Sequence, residues 1–143
     1  MSTLRIATFA AALVMALTCF APLQSAKAGA TDPLFINVTS EEGHRMSMAL
    51  TFGGKQLKMG HPLTVFLNDR AVFAASSANA ETYAAQQKAI ADLLSAGATV
   101  IVCPMCMTYY GVDKATLLPG ITLGSPDVTG GALFADNTKS ISW

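Results

Sequence analysis

Two cysteines three positions apart, Cys103 and Cys106, are the residues whose type and spacing most clearly allow chemistry. Pro104 suits the first turn of a helix, and the free backbone N–H groups there would stabilise a thiolate on Cys103. A Cys-x-x-Cys pair at such a turn is typical of thiol redox or sulfur-transfer sites. In a persulfide mechanism Cys103 is the expected sulfur acceptor. Cys106 is then the resolving thiol that releases sulfide and leaves a disulfide.

Two methionines beside these cysteines indicate an alternative, a site for a soft metal. Met105 and Met107 lie within the same five residues as Cys103 and Cys106. Thiolates and thioethers together favour Cu(I), so copper is the cofactor that this reading predicts. A structural zinc site is less favoured, because two cysteines and one nearby histidine do not complete four ligands within one chain. A third interpretation is that the two cysteines form a structural disulfide.

The elements that must hold these residues alternate between strand and helix. The apolar, β-branched run at residues 98–102 ends directly at Cys103 and reads as a buried parallel strand. This alternation predicts an α/β fold of the flavodoxin or Rossmann kind, a three-layer sandwich around a mostly parallel five-stranded sheet. The remaining strands are predicted at 34–39, 63–67, 121–123 and 138–143, the last at an edge. Helices are predicted at 44–59, about 80–96, 105–110 and 126–136, with a long loop at 68–80.

A third catalytic candidate, His44, depends on the order of the strands. With a flavodoxin-like order, 2-1-3-4-5, the sheet changes winding direction between the first and third strands. The loop at residues 40–44 would then face the Cys103 loop across the crevice. We therefore expect His44 and the neighbouring carboxylates Glu41 and Glu42 near the thiols, with His44 as a base or ligand.

The first 28 residues predict a secretory signal peptide. Arg5 begins it, an apolar run follows at residues 7–20, and small residues surround Lys27 at a cleavage site after Ala28. Residues 29–143 then form one domain in the periplasm, with no membrane segment after cleavage. Cleavage would also remove Cys19, so Cys103 and Cys106 would be the two cysteines of the exported protein.

Charge and motifs exclude several classes of function. The full chain carries nine basic and nine acidic residues, and cleavage would remove two of the basic ones. No basic run remains that would bind nucleic acid. The sequence contains no glycine-rich phosphate loop and no Ser/His/Asp arrangement of a hydrolase.

Four stretches of the chain match the pattern of a known family: 48–52 (MALTF), 60–67 (GHPLTVFL), 97–106 (GATVIVCPMC) and 111–112 (GV). With these stretches the chain resembles the DsrE-like proteins of sulfur transfer. The resemblance covers residues 34–143.

The resemblance implies a five-stranded α/β sandwich that assembles as a trimer or hexamer. It also implies that Cys103 carries a persulfide and passes sulfur between partner proteins, as a sulfur carrier or sulfurtransferase. The chain departs from the family in two respects. An exported protein would not meet the usual intracellular relay partners, and residues 107–110 (MTYY) lack the basic residue that many relatives have there.

Overall fold

The computed structural model describes residues 29–143, in which strands and helices alternate. The predicted signal peptide at 1–28, with Cys19, lies outside the described residues. Within the described part no helix is long and apolar enough to cross a membrane. The strands are β1 (Leu34–Val38), β2 (Leu63–Leu67), β3 (Thr99–Val102), β4 (Thr122–Leu123) and β5 (Lys139–Ser142). The helices are α1 (Gly43–Lys58), α2 (Ala80–Ser95), α3 (Pro104–Tyr110) and α4 (Pro126–Leu133).

The five strands form one sheet in which every neighbouring pair is parallel, in the order β4-β3-β2-β1-β5. The predicted α/β fold is confirmed, but the order 2-1-3-4-5 is wrong. β2 lies between β1 and β3, with Val65 opposite Ile36 on one side and Val100 on the other. All three residues are fully buried, so their apolar sequences alone could not tell which strand lies in the middle.

One face of the sheet carries the main hydrophobic core. Side chains alternate across a strand, so Ile36 and Val38 point to the same face of β1. Both are completely buried with Met46 and Leu50 of α1 and Ile90 of α2. The helical spacing of these apolar residues is what attaches α1 and α2 to this face.

The opposite face is covered more thinly. Phe35, Asn37 and Phe66 project to this side, where they line a cavity with Thr129 and Leu133 of α4. None of the residues of α4 is buried. The sheet therefore has helices on both faces, as predicted, but only one side has a dense core.

The segment between β2 and α2 differs from the predicted loop. It contains two 3₁₀ helices, Asp69–Ala75 and Ser77–Asn79. Asn79 precedes α2 as predicted, but its side chain donates to the carbonyl of Phe73 at 2.9 Å instead of capping the helix. Four residues of the first 3₁₀ helix are buried in the core, which explains why this segment is ordered: Ala71, Val72, Ala74 and Ala75.

Candidate thiol site

Cys103 lies at the point where the buried strand β3 passes into helix α3. Its backbone N–H donates to the carbonyl of Leu67 at 2.9 Å, which extends the pairing of β3 with β2 by one residue. Cys103 is the N-cap residue of α3, and Pro104 occupies the first helical position, where a missing N–H costs nothing. Gly111 ends the seven-residue helix in a left-handed conformation, with φ of 69°.

The two cysteine side chains are in direct contact. The thiol of Cys106 donates to the sulfur of Cys103 at 2.7 Å. The backbone N–H of Cys106 also donates to the Cys103 sulfur, at 3.3 Å. Both cysteines are free thiols and half-buried. Cys103 Sγ thus receives two hydrogen bonds, both from Cys106.

The loop after β2 supplies the neighbours of this pair. The backbone N–H of Asp69 donates to the sulfur of Cys106 at 3.2 Å. The hydroxyl of Tyr110, one turn after Cys106 on α3, donates to the carboxylate of Asp69. Asp69 therefore contacts α3 through both its backbone and its side chain.

Arg70 completes the contacts around this loop. Its guanidinium lies 5.5 Å from the ring centre of Tyr110 and 5.6 Å from that of Phe73. The same group forms an ion pair with Glu41 at 2.7 Å, and this contact raises the pKa of Arg70. Arg70 is thus engaged by two rings and one carboxylate.

An open cavity of about 500 Å³ lies beside Cys106. The exposed fractions of Met105 and Tyr109 are 81% and 82%, so two large apolar side chains lie at its rim. Asp69 is the one acidic or basic side chain in the lining, and Arg70 lies over the ring of Tyr110. The lining residues are Asn68, Asp69, Met105, Cys106, Tyr109 and Tyr110.

The pKa of the Cys106 thiol is raised above the ordinary value for cysteine. Burial has the largest effect, and the hydrogen bond to Cys103 raises the pKa further. The N–H of Asp69 acts in the opposite direction and lowers it. Cys106 therefore keeps its proton more readily than an ordinary cysteine and presents it to Cys103.

The predicted site residues do not all come together. Cys103, Cys106 and Met105 lie at one site, whereas Met107 is 4% exposed and packs into the hydrophobic core. His44 is exposed and lines a different cavity, with Met48 and Trp143 among its neighbours. Because β2 separates β1 from β3, the loop after β1 does not face the cysteines as the predicted order required.

The carboxylates predicted beside the thiols have other partners. Glu42 accepts the backbone N–H groups of His44 and Arg45 at 2.8 and 2.7 Å and caps α1. Glu41 reaches the neighbourhood of the site only through Arg70. In residues 29–143 no three side chains of histidine, cysteine, aspartate or glutamate cluster in a way that could hold a metal ion.

Asp69 is the residue at this site that the sequence analysis did not identify. The signal that could have found it is the tendency of consecutive strands to lie side by side. Placing β2 next to β3 puts the residue after Asn68 beside the residues after Val102. That argument would have selected the loop after β2, and not the loop after β1, as the partner of the cysteines.

Comparison with known families agrees with this geometry. The model of the DsrE/DsrF-like family matches residues 33–135, which include all of the site. The chain belongs to the DsrE/DsrF-like family. Sulfur relay is the role that membership in this family suggests. No functionally curated protein shows significant sequence similarity to the chain.

Solved structures share the fold of this DsrE-like protein at low sequence identity. Protein MTH1491 of Methanobacterium thermoautotrophicum is 13% identical, with a TM-score of 0.64 over 78% of this chain and 98% of its own. BT1422 of Bacteroides thetaiotaomicron is 19% identical, with a TM-score of 0.62 over 78% and 95%. The ychN protein of E. coli is 14% identical, with a TM-score of 0.59 over 79% and 99%. At these identities the likeness concerns the fold alone.

Proposed function

We propose that this DsrE-like protein carries sulfane sulfur as a persulfide on Cys103, with Cys106 as its proton donor and resolving thiol. The observation that supports this most directly is the 2.7 Å contact in which the Cys106 thiol donates to Cys103 Sγ. An acceptor of sulfur must be accessible to attack by or on its sulfur, and Cys103 lies at the N-terminal end of helix α3 with the backbone N–H of Cys106 directed at its sulfur. The site would act as a sulfur carrier or sulfurtransferase.

Loading and transfer are both displacement reactions at sulfur. In loading, the Cys103 thiolate attacks the outer sulfur of a sulfane-sulfur donor, and the remainder of the donor leaves as an anion. In transfer, an acceptor thiolate attacks the outer sulfur of the persulfide. Cys103 then leaves as a thiolate, to which Cys106 offers its proton. No electrons are gained or lost overall in either step, so the carrier needs no redox cofactor for them.

We further propose that the protein works in the periplasm as a homo-oligomer. Export rests on the signal-like residues 1–28. Oligomerisation rests on family membership, since proteins of this family are typically oligomeric, and a trimer or hexamer is the assembly that the resemblance implies. The partners would be a sulfur donor and a sulfur acceptor protein in the same compartment.

Binding of Cu(I) is the second candidate function. It is favoured by Met105, whose thioether lines the same cavity as Cys106. The ligands would be Cys103, Cys106 and Met105, because Met107 is buried in the core. Two thiolates and one thioether form a set that suits Cu(I), which accepts low coordination numbers and soft ligands.

Mass spectrometry of protein isolated from the periplasm without reductant separates these candidates. Sulfur carriage predicts an adduct of about 32 Da, one sulfur atom, which dithiothreitol removes. A metal that is present in the native spectrum and lost on denaturation would favour copper instead. A disulfide about 2 Da lighter that forms in every preparation, with no sulfur adduct or metal in any of them, and that resists mild reduction would favour a structural disulfide over both proposals.

The C103S variant tests which cysteine carries the sulfur. After incubation with inorganic polysulfide, we expect the wild-type protein to gain one sulfur and C103S to gain none. C106S is the matched control and should still load, since its Cys103 is intact. Loading of C103S to the wild-type level would assign the carrier role to Cys106 and overturn the proposal.

A further inference from the structure

Asp69 has a backbone conformation that is uncommon for its residue type. Its φ is 46°, in the left-handed region, which only Asp69 and Asn137 occupy among the non-glycine residues from 29 to 143. Aspartate and asparagine adopt this region more readily than most residues, though at some cost. In this conformation the N–H of Asp69 points at the sulfur of Cys106, 3.2 Å away.

Contacts with α3 hold Asp69 in that conformation. Its carboxylate accepts the hydroxyl of Tyr110, which lies one helical turn after Cys106 and therefore on the same side of the helix. Arg70 covers the ring of Tyr110 and is itself paired with Glu41. Backbone and side chain of Asp69 thus contact neighbouring positions of α3, and the peptide N–H cannot turn away without breaking the Tyr110 contact.

We propose that Asp69 is a positioning residue that holds the Cys106 sulfur against Cys103 for the resolving step. Cys106 Sγ lies between two partners, the N–H of Asp69 at 3.2 Å and Cys103 Sγ at 2.7 Å. This proposal rests on the persulfide role of Cys103. It adds that the loop after β2 determines how readily the loaded protein releases its sulfur as sulfide.

The resolving step balances without an external reagent. The persulfide anion on Cys103 reacts with the Cys106 thiol. A bond forms between the two cysteine sulfurs, the bond from Cys103 Sγ to the outer sulfur breaks, and the proton of Cys106 leaves with that sulfur as hydrosulfide. The outer sulfur gains two electrons and the two cysteines lose two, which gives a disulfide. The N–H of Asp69 stabilises the charge that develops on Cys106 as its proton departs.

Three substitutions separate positioning from a general structural role. D69N keeps a residue that tolerates the left-handed backbone conformation. It also keeps the backbone N–H and a side-chain oxygen that can accept the Tyr110 hydroxyl. D69A loses the side-chain contact and disfavours the left-handed backbone. Y110F removes the hydroxyl that donates to the Asp69 carboxylate and leaves the sequence of the loop after β2 unchanged. The matched control is D92A, which removes the same carboxylate from an exposed position on α2, outside the cavity beside Cys106.

Reaction with dithiobis-nitrobenzoate measures the resolving step without sulfur loading. Cys103 first forms a mixed disulfide and releases one thionitrobenzoate, and Cys106 then attacks Cys103 Sγ and releases a second. We expect the second release to slow about tenfold in D69A, the effect of losing one hydrogen bond, and to slow by a smaller factor in Y110F. D69N and D92A should stay within about twofold of wild type.

The pH profile of the second release provides a readout that a merely structural role would not move. The N–H of Asp69 lowers the pKa of Cys106, and its carboxylate raises that pKa by a smaller effect. The midpoint should therefore shift to higher pH in D69A, which displaces the N–H, and should not rise in D69N, which removes only the charge. Equal second-phase rates and equal midpoints for D69A and wild type would overturn the role of Asp69. This outcome is distinct from failure of wild-type protein to load sulfur, which would overturn the proposed function and leave the second-phase result standing.

Discussion

At the scale of single residues, the chemistry depends on an asymmetry between two cysteines that the sequence presents as a simple pair. Cys103 receives two hydrogen bonds from Cys106, one from a thiol and one from a backbone N–H. Cys106 has a raised pKa, chiefly because it is buried, and so retains its proton. This difference assigns the carrier role to Cys103 and the donor role to Cys106 in the proposed mechanism.

The C106S variant tests the resolving role directly. Serine keeps a hydroxyl that can donate to Cys103 but cannot form a disulfide. In the absence of an acceptor, we expect the persulfide of C106S to persist at least about tenfold longer than that of wild type, as followed by sulfide release. T108S is a suitable control, since serine retains the hydroxyl that donates to the Pro104 carbonyl. Sulfide release from C106S at the wild-type rate would show that Cys106 does not resolve the persulfide.

At the scale of elements, strand order decides which loops meet. Consecutive strands β1, β2 and β3 lie side by side, so the loop after β2 lies next to the Cys103 loop. The loop after β1 instead passes into α1, where its carboxylate Glu42 caps the helix. Glu42 therefore has a structural role as the cap of α1.

The cap of α1 can be tested by its dependence on pH. Hydrogen bonds from the N–H groups of His44 and Arg45 lower the pKa of Glu42 below 4.5. A lowered pKa means that the stabilisation is present above pH 4.5 and is lost as pH falls through the folded-state value. We expect E42A to lower the Tm by about 4 °C at pH 7, and by less at acidic pH, as measured by circular dichroism.

E42Q is the matched control for that experiment. It keeps a side-chain oxygen that can accept an N–H group and removes the ionisable group. Its Tm at pH 7 should lie between those of wild type and E42A. The difference in Tm between E42Q and E42A should stay the same as the pH is lowered. A pH-independent difference between E42A and wild type would show that the ionised carboxylate is not the stabilising cap.

At the scale of the whole molecule, the two faces of the sheet differ in how they are covered. The face under α1 and α2 contains the fully buried core, including Ile36, Val65 and Ile90. The other face is covered by α4, which has no buried residue and contains the adjacent Gly130 and Gly131. Few buried apolar contacts and two glycines imply that α4 has low local stability.

Hydrogen–deuterium exchange followed by mass spectrometry measures this difference. We expect the amides of α4 to exchange at least about tenfold faster than those of α2 in the isolated chain. The peptide from α2 in the same sample is the internal control. If α4 is as protected as α2 at high protein concentration but loses this protection on dilution, a second copy of the chain covers α4. Equal protection that persists on dilution would contradict the expectation of low local stability.

The sequence alone determined the elements and the position of the chemistry. A continuous apolar run specifies a buried strand locally and a proline favours the first turn of a helix, so β2 was predicted at its observed bounds and α3 within one residue. The Cys-Pro-x-Cys motif placed the site at the end of β3 for the same local reason. Export, sulfur loading and copper binding stay predictions that the experiments above address.

Only the tertiary structure decided which residues surround the thiols. The buried apolar residues of β1, β2 and β3 do not reveal the order of these strands. Because β2 and not β1 lies next to β3, the loop after β1 is further from the cysteines than predicted. For this reason His44 was placed beside the cysteines and Asp69 was missed. The sequence also could not tell that Met107 is buried. Met105 and Met107 both lie beside the cysteines in sequence, but they point in different directions from α3, so that only Met105 is exposed.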